Sequence, residues 1–294
     1  MPLKADPVSP SMSDHGGYAA ILLWSFSALF IGWTAEIPPF LTACLTSGVG
    51  FAIFALQWLA APRKFGTALR QDRRVWGLFF LSIVVYRGFY LAGLKYAPIV
   101  ESNLLNYLWP FFIVALSAFQ GRTRLRPLLL IGVLCCFSGV LMIGFDKGLA
   151  AFSFRAGHVF ALLGAMTWAV YSVLTRRFPS ASMETMGIMH FLAVGIFGGL
   201  HLACEAPVGL AAISPQAWLG VVGWGASLSV AYKLWDKAMS CGSREKIAAA
   251  AYWTPLLSTF WLILLGKGAM TAGVLAAAVL IIGGSAMVRL ADRR

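Results

Sequence analysis

Charge is what this sequence lacks most. Only 12% of its 294 residues are Asp, Glu, Lys or Arg, about half the share found in an ordinary soluble domain. Because a soluble fold needs charged side chains to cover its surface, this composition excludes one. With 60% hydrophobic residues and a mean hydropathy of +0.79, the chain is expected to lie in a bilayer, where lipid tails solvate apolar side chains.

Metal, nucleotide and disulfide motifs are also missing. The five cysteines form no CxxC pair, and most lie within apolar runs, which favours a packing role. No Walker phosphate loop and no HExxH helix is present. We therefore predict no metal, no cofactor and no enzymatic activity. Residues 1–16 are polar, contain three prolines and lack the basic region of a signal peptide, which predicts a flexible tail and a retained first span.

Ten apolar runs separated by short loops follow this tail. Each is long enough to cross a bilayer, which takes roughly 20 apolar residues in helical form. The sequence therefore predicts an all-α membrane protein with ten transmembrane helices. The runs span residues 17–34, 40–61, 75–96, 101–119, 128–145, 157–175, 184–204, 216–235, 245–265 and 270–290.

The basic residues indicate the orientation. Ten spans place both termini on one side, and that side holds 17 of the 23 Lys and Arg residues, whereas the opposite side holds 4. By the positive-inside rule the N- and C-termini are cytoplasmic. The net charge of +12 is thus explained by topology, and we predict no nucleic-acid partner. The expected location is the bacterial inner membrane, with multiple passes.

Short motifs recur in the two halves. Tyr107-Leu108-Trp109-Pro110 in the fourth run corresponds to Tyr252-Trp253-Thr254-Pro255 in the ninth, and Gly132-Val133-Leu134 in the fifth to Gly273-Val274-Leu275 in the tenth. They predict a first repeat at 17–145, a linker at 146–156 and a second repeat at 157–290. Because five spans is an odd number, the second repeat enters the membrane inverted, as in many secondary transporters.

These features resemble a known family. Ala92–Pro98, Tyr232–Met239 and Ala251–Ser258, within ten spans and a five-plus-five inverted repeat, resemble the EamA-type branch of the drug/metabolite transporter superfamily. Ala251–Ser258 is similar to the corresponding stretch of its aromatic amino acid exporters. The resemblance implies a secondary transporter that exports aromatic and other neutral amino acids from the bacterial cytoplasm by alternating access.

Polar and aromatic side chains within the spans mark the candidate site. Tyr86 and Tyr90 lie on one helix face, as do Asn103, Asn106 and Tyr107. Polar groups inside a span are costly unless they face protein, water or ligand, so these faces are expected to line a cavity. The predicted substrate-binding residues are Tyr86, Arg87, Tyr90, Asn103, Asn106, Tyr107, Trp109, Trp24, Trp168, Tyr171, Lys233 and Tyr252.

Several of these residues have a second interpretation. Arg87 is suited to a bidentate contact with a substrate carboxylate, but it also suits an ion pair with Glu101. Lys233 is suited to the cavity or to snorkelling toward the membrane surface. Pro110 and Pro255, each inside a span, are hinge candidates or static kinks.

Other functions remain open at this stage. Export of drugs, nucleosides or other metabolites is an alternative, since an aromatic cavity accepts many planar solutes. A membrane redox enzyme that uses buried histidines among His158, His190 and His201 is a further alternative, and a channel is another. The expected partners are a small-molecule substrate, namely amino acids, and membrane lipids. We predict a monomer.

Overall fold

The computed structural model describes residues 10–120, 126–146, 154–178, 181–266 and 269–292, and their regular structure is entirely helical. The α-helices are α1 (Pro10–Ser25), α2 (Ser27–Trp33), α3 (Pro39–Ala60), α4 (Arg63–Leu69), α5 (Arg73–Phe80), α6 (Tyr86–Tyr96), α7 (Ile99–Asn106), α8 (Trp109–Phe119), α9 (Pro127–Asp146), α10 (Ala156–Leu174), α11 (Thr185–Cys204), α12 (Pro215–Cys241), α13 (Arg244–Ala250), α14 (Trp253–Leu264) and α15 (Ala272–Asp292). A π-helical turn at Leu81–Val85 joins α5 to α6.

Nine helical segments of the described chain are long and apolar enough to cross a membrane. The remaining long helix, α12, has 27 residues and a length of about 40 Å at 1.5 Å per residue, but it carries Lys233, Asp236 and Lys237. The nine segments are Asp14–Trp33, Pro39–Ala60, Arg73–Tyr96, Glu101–Phe119, Pro127–Gly144, Ala156–Arg177, Thr185–Cys204, Arg244–Leu264 and Ala272–Ala291.

The predicted N-terminal tail is wrong over its last residues. α1 begins at Pro10 rather than at 17, and residues 1–9 lie outside the described part of the chain. Asp14 explains part of the difference, because its carboxylate accepts a hydrogen bond of 2.8 Å from the backbone N–H of Ser243. This contact ties the start of α1 to the turn between α12 and α13.

Two helix interruptions occur at matching positions of the two halves. α7 ends at Asn106 and α8 resumes at Trp109, with Pro110 in its first turn; α13 ends at Ala250 and α14 resumes at Trp253, with Pro255 as its third residue. The kinks expected at both prolines are therefore breaks of about two residues. A third break, at Phe26 between α1 and α2, has no proline and was not predicted.

The most extensive helix pairings join the first half of the chain to the second. They are α15 with α9, α11 with α3, α10 with α6, and α1 with α12. When α12 is counted with the nine segments of the described chain, these pairs join the fifth with the tenth, the second with the seventh, the third with the sixth and the first with the eighth. A two-fold relation between the two halves of the chain would produce this set, because it would exchange the last two pairings.

Glycine permits the closest of these pairings. A Cβ added at Gly284 of α15 would meet the carbonyl oxygen of Gly132 and Sγ of Cys136, which is 2.7 Å away, and one added at Gly139 would meet Ile281 at 2.7 Å. Small residues allow two helix backbones to approach in a membrane, where association depends on close packing. α15 therefore packs closely against α9.

Candidate functional site

A cavity of about 120 Å³ lies between the two halves, near the middle of the helices. Its walls come from α1, α2, α6, α7 and α8 in the first half and from α10, α12 and α14 in the second. The described residues that line it are Trp24, Ser27, Ile31, Tyr86, Arg87, Tyr90, Leu91, Asn103, Asn106, Tyr107, Trp109, Trp168, Trp224, Leu228, Tyr232 and Thr254. Nine of the twelve predicted site residues are among them.

Arg87 is the charged residue of this lining. Its side chain is 6% exposed, and its guanidinium donates hydrogen bonds to Ser47 Oγ at 2.9 Å and Thr46 Oγ1 at 2.7 Å. None of the ion pairs between described residues involves Arg87. The alternative pairing with Glu101 is not formed. A buried cation is costly unless an opposite charge compensates it, so this guanidinium is suited to an anion that enters the cavity.

Tyrosine and asparagine side chains form a connected polar wall beside Arg87. The Tyr86 and Tyr90 rings are stacked, with centroids 6.0 Å apart, as their spacing on one helix face predicts. The Tyr90 hydroxyl donates to Asn103 Oδ1 at 3.2 Å, and Asn106 Nδ2 donates to the Tyr86 hydroxyl at 3.4 Å. These contacts link α6 to α7 and hold the two amides at the cavity surface.

Four tryptophans converge at the other wall. Trp24 lies 5.7 Å from Trp168, 6.3 Å from Trp109 and 5.0 Å from Trp235, measured between ring centroids. We call Trp24, Trp109, Trp168 and Trp235 the tryptophan cluster. Tyr232 extends it, 5.0 Å from Trp168. Each aromatic pair contributes about 0.5–1.5 kcal/mol beyond its buried area, and the cluster joins helices of both halves.

Four buried polar atoms of the cavity lining have no hydrogen-bond partner within the described protein. They are Trp24 Nε1, Trp224 Nε1, Asn106 Oδ1 and Thr254 Oγ1. A buried polar atom left unpaired costs about 1–3 kcal/mol, so native proteins pair nearly all of them. The residues of the lining thus carry two indole donors, one amide acceptor and one hydroxyl that the described protein leaves unpaired, and these suit a ligand with both donors and acceptors.

Three predicted site residues lie outside the cavity. Tyr171 is buried behind Trp168 and donates to Asp236 Oδ1 at 2.9 Å. Tyr252 packs against α9 in a separate core, near Phe137, because the break between α13 and α14 rotates it away from the cavity.

Lys233 points to α3 instead. Its ammonium donates to Gln57 Oε1 at 3.0 Å and lies 3.9 Å from the centroid of the Phe54 ring. Lys233 therefore does not line the cavity, and its ammonium is held by contacts with α3. Of the two interpretations predicted for Lys233, the cavity role finds no place in the described lining, whereas its neighbour Tyr232 lines the cavity from the next helix face.

Sequence reasoning missed several lining residues. Trp224, Leu228 and Tyr232 lie on one face of α12 at spacings of four residues, which is a usable signal. Asp236 continues the same face and is 3% exposed.

The histidines have other roles in this arrangement. His158 Nε2 lies 2.7 Å from Glu101 Oε2, and His201 Nδ1 lies 2.9 Å from Glu205 Oε2. Glu205 also accepts hydrogen bonds from the backbone N–H groups at the start of α3. His190 is buried against Gly50 and Ser229. Within the described ranges no three His, Cys, Asp or Glu side chains are grouped as for a metal ion.

Comparison with known proteins agrees with this architecture. Residues 14–145 and 155–290 each match the sequence profile of the EamA-like transporter family. The chain belongs to this family. It is therefore a multi-pass membrane transporter built from two repeats, and the resemblance drawn from its motifs is confirmed. The matched ranges together cover most of the chain.

Individual relatives of this EamA-like transporter extend over its whole length. The aromatic amino acid exporter YddG of Ancylobacter novellus is 35% identical over 295 residues, covering 98% of this chain and 100% of that protein. The protein of the same name from Escherichia coli K12 is 24% identical, covering 95% and 97%. A crystal structure that is 32% identical superposes with a TM-score of 0.88, covering 97% of this chain and 100% of the other.

Proposed function

We propose that this protein is a secondary transporter that exports aromatic and other neutral amino acids across the bacterial inner membrane by alternating access. The observation that carries the proposal is Arg87, a buried guanidinium without a carboxylate partner among the described residues, in a cavity otherwise walled by aromatic rings. An amino acid supplies both the missing anion and a side chain for the walls. The relatives named as aromatic amino acid exporters support the same substrate class.

The proposed topology has ten spans in two inverted repeats, 17–145 and 157–290, with cytoplasmic termini. α12 supplies the eighth span, which is needed for the helices before and after it to alternate in direction. The repeated breaks before Pro110 and Pro255 and the cross-half helix pairings support the inverted relation. The excess of Lys and Arg on the side of the termini supports the orientation.

In the bound state, the substrate carboxylate lies on Arg87. A guanidinium presents parallel N–H donors that match a carboxylate, and charge-assisted hydrogen bonds are about twice as strong as neutral ones. Thr46 and Ser47 fix the guanidinium from the side of α3. These two hydroxyls fix the orientation of the guanidinium but do not neutralise its charge. No carboxylate of the described protein therefore competes with a bound anion for Arg87.

The substrate amino group and side chain face the remaining walls. Asn106 Oδ1 is an unpaired acceptor suited to an ammonium, and the adjacent Tyr86 face adds a cation–π contribution. The side chain lies against Trp24 and Trp168, where an aromatic ring gains both buried area and edge-to-face contacts. This division of roles explains a preference for aromatic substrates, with tolerance for other neutral ones.

The described conformation is closed toward the cytoplasm under the proposed orientation. Cavity residues such as Ile31, Leu91 and Trp224 lie nearer the outer ends of their helices. The tryptophan cluster lies below them, with Trp235 fully buried. Beneath it, the Tyr171–Asp236 hydrogen bond joins α10 to α12.

Transport then requires the two ends to open in turn. The cavity, at about 120 Å³, is smaller than the 300–1,000 Å³ typical of pockets for drug-sized ligands, so substrate entry needs the walls to separate. The breaks at Phe26, before Pro110 and before Pro255 divide three cavity-lining spans into short halves. We propose Pro110 and Pro255 as hinges, because the missing N–H groups leave fewer helical hydrogen bonds to resist bending there.

Substrate competition in proteoliposomes tests this function. Counterflow of labelled L-phenylalanine is measured against L-tryptophan, L-leucine, L-glutamate, a nucleoside and a planar organic cation. The proposal predicts inhibition that is strongest for the aromatic amino acid, weaker for leucine and absent for the last three. Inhibition confined to the nucleoside or the organic cation would instead assign the cavity to another metabolite class.

A further inference from the structure

A second crevice, on the lipid-facing side of the protein, lies between α14 and α15. It consists of two adjoining cavities of about 290 Å³ and 300 Å³ that share Trp253 and Leu257. It is separate from the central cavity, whose described lining includes neither residue. At one point the two helices meet within it, where Trp253 Nε1 of α14 donates a hydrogen bond of 3.0 Å to Ser285 Oγ of α15.

One end of the crevice is cationic. Lys246 from α13 and Arg289 from α15 line it together with Tyr18 and Ser285, and its described lining contains no Asp or Glu. Arg289 is exposed and Lys246 is partly exposed. Lys246 lies near the start of α13 and Arg289 near the end of α15. In the proposed topology both positions are on the cytoplasmic side of the membrane.

The rest of the crevice is apolar. Its outer part is lined by apolar side chains from α14 and α15, among them Trp253, Leu257, Phe260, Val274 and Ala278. From Arg289 back to Val274, α15 rises about 22 Å at 1.5 Å per residue. The crevice therefore runs from the level of the headgroups past the middle of a hydrocarbon core of about 30 Å.

We propose that this crevice binds an anionic phospholipid of the cytoplasmic leaflet, with its phosphate on Lys246 and Arg289 and one acyl chain along Leu257 and Phe260. Two cations at one end and a continuous apolar wall at the other match the two parts of such a lipid. Basic pockets between transmembrane helices on the cytoplasmic side are a recognised form of anionic-lipid site. The leaflet assignment rests on the proposed orientation, whereas lipid binding itself does not.

Lipid titration of the purified full-length protein tests the proposal. Binding of dioleoyl phosphatidylglycerol is measured by native mass spectrometry in neutral detergent, beside dioleoyl phosphatidylcholine, inorganic phosphate and glycerophosphoglycerol without acyl chains. The intact anionic lipid should be retained most strongly. At roughly 1 kcal/mol for each cation, Lys246→Gln and Arg289→Gln should each weaken phosphatidylglycerol binding about fivefold, and the double variant about 30-fold.

Matched variants separate this site from general surface charge. Arg74→Gln removes an exposed cation at the same end of the molecule but outside the crevice, and it should leave binding unchanged. Ala278→Phe fills the apolar part and should weaken binding with both cations present. Equal retention of the two lipids, equal binding of inorganic phosphate, or an equal effect of Arg74→Gln would each overturn the proposal without affecting the transport function.

Discussion

Replacing Arg87 with glutamine tests the role of the buried cation in the central cavity. Glutamine can still bond to Thr46 and Ser47 but carries no charge, so the substrate carboxylate loses its counter-ion. Hydrogen bonds to charged groups contribute about 1.5–3 kcal/mol. At 1.4 kcal/mol per factor of ten, affinity for L-phenylalanine should fall roughly 10- to 150-fold.

A substrate analogue makes this prediction specific. Phenethylamine keeps the ring and the amine of phenylalanine but has no carboxylate. The wild-type protein should therefore bind it about 10- to 150-fold more weakly than L-phenylalanine. Arg87→Gln should bind both ligands alike, since the variant has lost the group that distinguishes them.

The assay is direct binding of each ligand to purified protein by isothermal titration calorimetry, with circular dichroism as a check of folding. Lys233→Gln is the matched control, because Lys233 contacts Gln57 and Phe54 outside the cavity lining. It should leave the preference for L-phenylalanine intact. If Arg87→Gln weakens both ligands equally, or if both variants act alike, the carboxylate does not lie on Arg87.

Two further predictions concern the fold around the site. Tyr171→Phe removes the donor to the buried Asp236 carboxylate, which should cost about 1–3 kcal/mol of stability and lower the thermal unfolding midpoint. Adding Asp236→Asn to the same chain should recover part of this loss. An unchanged midpoint in the single variant would contradict the role of the pair. Gly284→Ala should separate α15 from α9, because the new Cβ would meet the Gly132 carbonyl, and overpacking of this kind costs about 1–3 kcal/mol of stability. Gly283→Ala is the control: a Cβ there has nothing within 4 Å, so the unfolding midpoint should not change. Equal effects of the two variants would refute the packing argument.

The general plan of the fold was accessible from the sequence because lipid imposes simple rules. A spanning segment must satisfy its own backbone hydrogen bonds, so apolar length alone located nearly all of the helices. Paired motifs such as those around Pro110 and Pro255 indicated two related halves. The breaks at these prolines were predictable for the same chemical reason, since proline lacks the N–H that a continuous helix needs.

Details set by tertiary packing were not accessible in the same way. The break at Phe26 and the π-helical turn at Leu81–Val85 have no clear local signal. Whether a polar side chain faces the cavity depends on the rotation of its helix, which neighbours decide. Tyr232 and Lys233 are adjacent in sequence, yet one lines the cavity and the other contacts Gln57. Helical spacing brought Tyr86, Tyr90, Asn103 and Asn106 together correctly because they lie on regular turns.

The central claim, a carrier that alternates between two sides, is tested most directly by trans-stimulation. Proteoliposomes loaded with labelled L-phenylalanine are diluted into buffer with or without unlabelled L-tryptophan, and release is followed over time. A carrier returns faster with substrate bound, so external L-tryptophan should accelerate release, and the effect should saturate. Release that is unaffected by external substrate and rises in proportion to the internal concentration would indicate a channel and contradict the proposed mechanism.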